Sequence, residues 1–357
     1  MSFRKTVLVY PANNDVAQDV IQSLHTSIHV QLLVLKSDSV LNDQQYVKII
    51  DSQEEPRDLE IEAWNLLIEQ YGINYIYLTN GQEQHQLLPY RGRISCELIN
   101  SFKSISLYRS NHLSSNDINY TIDCFTDEDG QLLFARGFKE ITSSEGRVLA
   151  PVSVCFNSIA ESLKDSYKLR GYWHFQILDC GMEGKKVTSI SSLPSKGIGL
   201  WRGRGVNIPL LSIYHAMGNP LGLIEKDLKV KGVTTNKTYY YVDIQYERVY
   251  IDLDDTIVIQ GQLNKVAISF IIQCINRNIS VHLISKHRGD ICQYLKQYRI
   301  EQLFDSIIWL NSEERKSDYI VPEGSIFIDD AYRERKEVHS VLEIPTFDVA
   351  SIPLLIN

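Results

Sequence analysis

The stretch RVYIDLDDTIV, residues 248–258, sets Asp252, Asp254 and Asp255 directly after a run of Val, Tyr and Ile. Such a run predicts a buried strand, and carboxylates crowded at its end repel one another and are costly to bury. Either the strand ends in solvent or its acids hold something that needs them. The residues that follow favour the second case. RVYIDLD, ISVHLIS, FDSIIWL, SIFIDD and IPTFDV read as strands, and QLNKVAISFIIQCINRN sets Ala267, Phe270, Ile271, Cys274 and Ile275 at helical spacing between the first two. Strands alternating with helices predict a doubly wound α/β sheet.

In such a sheet ligands sit outside the carboxyl ends of the strands. The groups that close these strands are Asp252, Asp254, Asp255 and Thr256, then Ser285, then Asp329 and Asp330, with Lys316 on the stretch before the fourth strand. Clustered carboxylates for a hard cation, with a hydroxyl and an ammonium for an anion's oxygens, describe a Mg²⁺-assisted phosphoryl-transfer site.

Upstream the texture differs. KTVLVY, VQLLVLK and INYIYLT read as parallel strands, with VAQDVIQSL and LEIEAWNLLIEQYG as the helices between them. The first turn lacks the GxGxxG that would cradle a pyrophosphate. From about residue 90, NYTIDCF, LLFARGFKEI, YWHFQILDC and VTSISSL are short alternating strands, and DEDG and MEGK are hairpin turns. The length of 357 residues has room for about two domains, and the texture divides it into three units: 1–88, 89–245 and 246–357.

The net charge of −8 argues against a phosphate-backbone binder, so no nucleic acid is expected. Six cysteines without CxxC or CxxH spacing suggest neither a zinc site nor a disulfide framework, and point to a reducing, cytoplasmic setting. No apolar run reaches about 18 residues, so no membrane partner is expected.

The four strand-end groups resemble, in order, the motifs of the haloacid dehalogenase (HAD) superfamily of phosphohydrolases: DLDDT at 252–256, the Ser of LISK, Lys316, and FIDDA. The resemblance implies a phosphatase with Asp252 as nucleophile, forming an aspartyl-phosphate, and Asp254 as general acid and base. It implies Mg²⁺ on Asp252, the backbone carbonyl of Asp254, Asp329 and Asp330, with Ser285 and Lys316 on the phosphoryl oxygens. Only 33 residues separate Asp252 from Ser285 (285 − 252), which leaves no room for a cap inserted after the first motif. The upstream half would then be a lid or scaffold over a small phosphorylated substrate.

Residues 1–88 and YKLRGYWHFQILDCGMEGKKVTSISSLPSKGIGLWRGRGVN look like an ATP-grasp protein of the carbamoyl-phosphate-synthase-like kind. Where that family carries metal ligands, Gln176 fits the first position, but Glu-x-Asn-Pro-Arg is replaced by Ser191, Ser192, Leu193, Pro194 and Ser195. Residues 85–118 leave no space for the nucleotide-binding subdomain, so this half reads as a degenerate ATP-grasp remnant. GIGLWRGRGVN, with Arg202 and Arg204, reads as a Gly-rich surface loop ahead of an anion clamp. His174, His215 and His287 read as core or surface histidines, with His287 close enough to Ser285 to touch a substrate. The expected activity is thus a Mg²⁺-dependent phosphohydrolase. The alternatives are a bifunctional ATP-grasp ligase plus phosphatase and a non-catalytic binding protein, with homo-oligomerisation left open.

Overall fold

The computed structural model describes residues 4–356 except 36–44, 51–60, 82–83, 85–86, 88–94, 101–103, 108–117, 145, 182–183 and 236. Its described strands form three main sheets. The first runs β1 (Lys5–Tyr10), α1 (Asp15–Leu24), β2 (Val30–Leu35), β3 (Val47–Ile50), α2 (Ile61–Tyr71), β4 (Tyr75–Leu78) and β5 (Glu97–Ile99). Its strands are parallel, in the order β3-β2-β1-β4-β5. Asn14 starts α1 by accepting from the backbone of Ala17 at 2.8 Å, and the helix buries Ala17, Val20, Ile21 and Leu24. Leu59 and Glu60, read as the start of the second helix, lie outside the described residues, as does most of 85–118.

The second sheet contains β6 (Ile105–Ser106), β7 (Ile118–Thr126), β8 (Leu132–Ser143), β9 (Gly146–Pro151), α3 (Asn157–Tyr167), β10 (Gly171–Asp179), β11 (Lys185–Ser191), α4 (Ile198–Gly203), α5 (Ile208–Ala216), β12 (Lys229–Thr234) and β13 (Thr238–Asp243). Neighbouring strands are antiparallel, in the order β13-β12-β9-β8-β7-β10-β11-β6. The DEDG turn closes the β7–β8 hairpin, with Gly130 at φ +88°, where a Cβ would be strained.

The GIGLWRGRG stretch is no surface loop. It forms the buried helix α4, and a Cβ on Gly199 would come within 2.3 Å of the Tyr240 ring. Its glycines serve close packing, and Arg202 turns inward to donate to Ser23 Oγ at 2.8 Å and to the Asp19 carbonyl at 3.2 Å.

The third sheet comprises β14 (Arg248–Ile251), the small hairpin β15 (Val258–Ile259) and β16 (Gln262–Leu263), α6 (Lys265–Asn276), β17 (Ser280–Ser285), α7 (Ile291–Tyr298), β18 (Ser306–Trp309), β19 (Ser325–Ile328), α8 (Tyr332–Leu342) and β20 (Thr346–Phe347). Apart from the hairpin, its strands are parallel in the order β18-β17-β14-β19-β20. Alternation along β14 sends Val249 and Ile251 toward Phe270 and Ile271 of α6, and Tyr250 toward the opposite cluster with Phe327 and Val338. Both faces are covered, which is why these strands read as unbroken apolar runs.

One apolar cluster joins the three sheets, taking Val7 and Val20 from the first, Trp201 and Tyr240 from the second, and Val249 and Ile251 from the third. Polar ties cross the same boundaries. Asn207 Nδ2 donates to the Ser23 carbonyl at 2.9 Å and to Asp348 Oδ2 at 3.2 Å, and Gln45 Nε2 donates to the Leu263 carbonyl at 2.7 Å. Among the described residues no helix is long and apolar enough to cross a membrane.

Candidate functional site

The parallel register of the third sheet gathers the acids. Ile251 on β14 lies level with Ile328 on β19, so the next residues, Asp252 and Asp329, emerge side by side. The order of strands reverses here, β14 being followed on one side by β17 and on the other by β19, which opens a crevice at the carboxyl ends. The ladder carries past the strand ends, with Asp252 N donating to the Ile328 carbonyl at 2.9 Å and Asp329 N to that of Phe347 at 3.1 Å. Asp252, Asp329 and Asp330 each place a carboxylate oxygen within 4.8 Å of the other two.

Lys316 sits between the first two acids. Its Nζ donates at 2.6 Å both to Asp252 Oδ1 and to Asp329 Oδ2, with only 2% of the residue exposed. The short helical turn Lys316–Tyr319, reached by the loop leaving β18, delivers it. Lys286 and Arg315, its neighbours in type, point elsewhere: Lys286 pairs with Glu334 at 2.9 Å and Arg315 with Asp318 at 2.8 Å. Burial alone would discharge Lys316, but the carboxylates of Asp252 and Asp329 hold its ammonium well above the usual lysine range.

One ammonium cannot neutralise all these acids. Burial, only partly offset by Lys316 and aided by the charge of Asp329, pushes Asp252 up to about 7. Burial and the charges of Asp329 and Asp252 push Asp330 up to about 8. Full ionisation of the cluster would leave an excess of negative charge, so the acids hold protons that a bound cation would displace. The donors are hard carboxylate oxygens, the type Mg²⁺ takes, so the residues present fit that ion.

The Ser285 hydroxyl, 1% exposed at the end of β17, has no hydrogen-bond partner. A buried hydroxyl left unpaired costs roughly 1–3 kcal/mol, and this one, on the strand beside β14, is a donor free for a ligand oxygen.

Asp254 stands apart from the buried acids. Its side chain is 45% exposed and receives His287 Nδ1 at 2.9 Å, while the ring of His287 lies 4.4 Å from that of Tyr294. Trp309 Nε1 donates to the His287 carbonyl at 2.9 Å, so the edge strand β18 braces this mouth. Asp255 adopts φ +57°, which lets the chain turn back so that its N–H reaches the Val258 carbonyl at 2.8 Å. Thr256 Oγ1 accepts from Asp330 N at 3.1 Å, and Arg335 donates at 2.6 Å to the carbonyls of both Asp329 and Asp330. Arg335 escaped the sequence reading because nothing in its helical context, YRERKEVHSVL, sets it apart from the other charges of α8.

The second sheet does not rebuild a metal site at the positions where the sequence resemblance seeks one. Gln176 Oε1 accepts from Ser189 Oγ at 3.0 Å, Ser191 Oγ pairs with Ser104 Oγ at 2.8 Å, and Ser195 Oγ donates to the buried Asp123 at 2.9 Å. His174 Nδ1 lies 3.0 Å from the Leu193 carbonyl, and His215 lies 3.1 Å from Glu128.

No family model and no curated protein matches the sequence. Solved structures do match in part. N5-carboxyaminoimidazole synthetase from Staphylococcus aureus aligns with a TM-score of 0.46 at 10% identity, over 65% of this chain and 84% of that one. A biotin carboxylase–βγ-ATP complex from Campylobacter jejuni gives 0.48 at 8%, over 65% and 76%. Glycinamide-RNase-transformylase T from Mycobacterium tuberculosis gives 0.45 at 7%, over 64% and 84%. These are ATP-grasp enzymes, and no HAD phosphatase is among them. The expectation of a HAD phosphohydrolase is corrected by that finding. The physical reason is that acids, a serine and a lysine at the tips of a parallel sheet specify what such a site can hold, and leave the reaction open.

Proposed function

We propose that the tip of the third sheet binds the phosphoryl groups of a magnesium nucleotide, and that the chain works as an ATP-dependent ligase that activates a second small substrate. The observation that supports this reading is the unpartnered, buried Ser285 hydroxyl beside Lys316 and three acids. Such a site suits a ligand that brings a cation and an oxyanion together. Asp252, Asp329 and Asp330 would hold Mg²⁺, with the backbone carbonyl of Asp254 as a further oxygen donor. Bound there, the ion would neutralise the acids and polarise phosphoryl oxygens.

The chain's own groups do the rest. Ser285 donates its free hydroxyl proton to a phosphoryl oxygen, and Lys316 keeps Asp252 and Asp329 in place and presents positive charge to the anion. The His287–Asp254 pair at the mouth is placed to meet whatever enters. A small-molecule ligand and a cytoplasmic setting belong to the same reading.

Calorimetric titration with MgATP tests it, run beside Asp329→Asn and followed by assay of ADP formation with a panel of carboxylates and amines. Saturable binding lost in the variant and in EDTA, with ADP formed only when a co-substrate is present, is the expected result. Binding that survives both Asp252→Asn and Asp329→Asn would move the nucleotide to another sheet. Absence of binding in the wild type overturns the proposal, and binding without turnover reduces the chain to a binding protein.

A further inference from the structure

A cavity of about 330 Å³ lies where the three sheets meet, closed by residues that follow α1, by the segments around α5, and by the start of α8 and the residues after β20. Its volume is that of a site for a small organic molecule. Leu210, Leu223 and Val349 give it apolar walls. Two of its polar groups have nothing to bond to. Lys226, 7% exposed, makes no hydrogen bond or ion pair through Nζ among the described residues and rests 4.7 Å above the Phe347 ring. Thr346, fully buried, has an unpartnered Oγ1.

The nearby acid does not answer Lys226. Asp348 is held by Asn207 Nδ2 at 3.2 Å and by Ser351 Oγ. Gly205, at φ +90°, leaves room for the lysine head, since a Cβ there would lie 2.9 Å from Nζ. Arg335, which also lines the cavity, adds a second positive charge while holding the carbonyls of Asp329 and Asp330.

We infer that this cavity binds a small organic anion, its apolar body against Leu210, Leu223 and Val349 and its anionic head on Lys226 and Thr346. Burying an ammonium and a hydroxyl without partners is unfavourable, and both residues line the same cavity, so one ligand oxyanion drawn against that wall would satisfy both. Burial and the neighbouring Arg335 bring Lys226 down to about 7 in the ligand-free chain, and an anion beside it would restore its charge. The inference goes beyond the nucleotide reading and needs no metal. Asp330 of the acidic cluster also lines the cavity, but the head-binding groups Lys226 and Thr346 are not among the residues assigned to the metal, so binding measured in EDTA tests the inference apart from the nucleotide reading.

The probe is 1-anilinonaphthalene-8-sulfonate, an apolar body with one anionic group, titrated into the full chain in EDTA. Binding of one molecule per chain is expected, at least tenfold weaker in Lys226→Met, severalfold weaker in Thr346→Val, and blocked in Leu210→Trp, which fills the space. The first two substitutions replace unpaired polar groups by apolar ones of similar shape, so both variants should fold. Displacement by benzoate or phenyl phosphate but not by benzyl alcohol supports the inference, and the stronger of the two anions tells a carboxylate head from a phosphoryl one. Equal affinity in wild type and Lys226→Met, equal displacement by benzyl alcohol, or no stoichiometric binding would overturn it.

Discussion

Two residues of the acidic tip separate binding from stability. Ser285 has an unpaired hydroxyl, so Ser285→Ala removes a buried polar group that no protein atom satisfies. Its stability should be unchanged or higher, while affinity for a magnesium nucleotide falls about tenfold, the worth of one hydrogen bond to a charged oxygen. Lys316 is the opposite case. Lys316→Ala leaves Asp252 and Asp329 buried against each other without their shared cation, which should cost about 3–5 kcal/mol in urea unfolding. Millimolar Mg²⁺ should return part of that loss in the variant. If both substitutions lower stability alike, Ser285 has a partner that the geometry does not show.

The elements explain how much could be read from residues alone. The long apolar runs became strands where the period and length predict them, and the parallel register then set Asp252 beside Asp329. The short edge strands β3 and β5 were not legible, because VKII and ELI carry too few residues to establish a period. The cavity was invisible for a different reason. Lys226, Thr346 and Arg335 come from a loop, a strand and a helix, and only the packing of whole elements brings them together. At this scale the turn after β14 is the part to test. Asn264 caps α6, its Oδ1 accepting from Val266 and Ala267, while its Nδ2 donates to the Thr256 carbonyl at 3.1 Å. Asn264→Ala should cost about 1–2 kcal/mol and speed amide exchange over residues 254–268, a change that exchange mass spectrometry would resolve.

Across the whole molecule the three sheets share one apolar cluster, and polar contacts cross their boundaries. Calorimetric unfolding should therefore show one cooperative transition rather than three. Asp19 sits on one such boundary, taking a hydrogen bond from Tyr240 Oη at 2.7 Å, and burial raises it to about 7 despite Arg202. Its folded-state pKa lies above its unfolded value, so its contribution is full below about 4 and lost as the pH rises through about 7. The size of that loss is of the order of 4 kcal/mol. Asp19→Asn should flatten this part of the stability–pH profile, and an unchanged slope would show that the carboxyl is ionised throughout. The tryptophans are spread over the same architecture: Trp64, Trp173 and Trp201 are at most 2% exposed, whereas Trp309, which braces His287 at the mouth of the acidic tip, is 54% exposed. Its emission should lie to the red of the other three and be the part that iodide quenches, so the rim carries a built-in optical gauge of whatever settles over it.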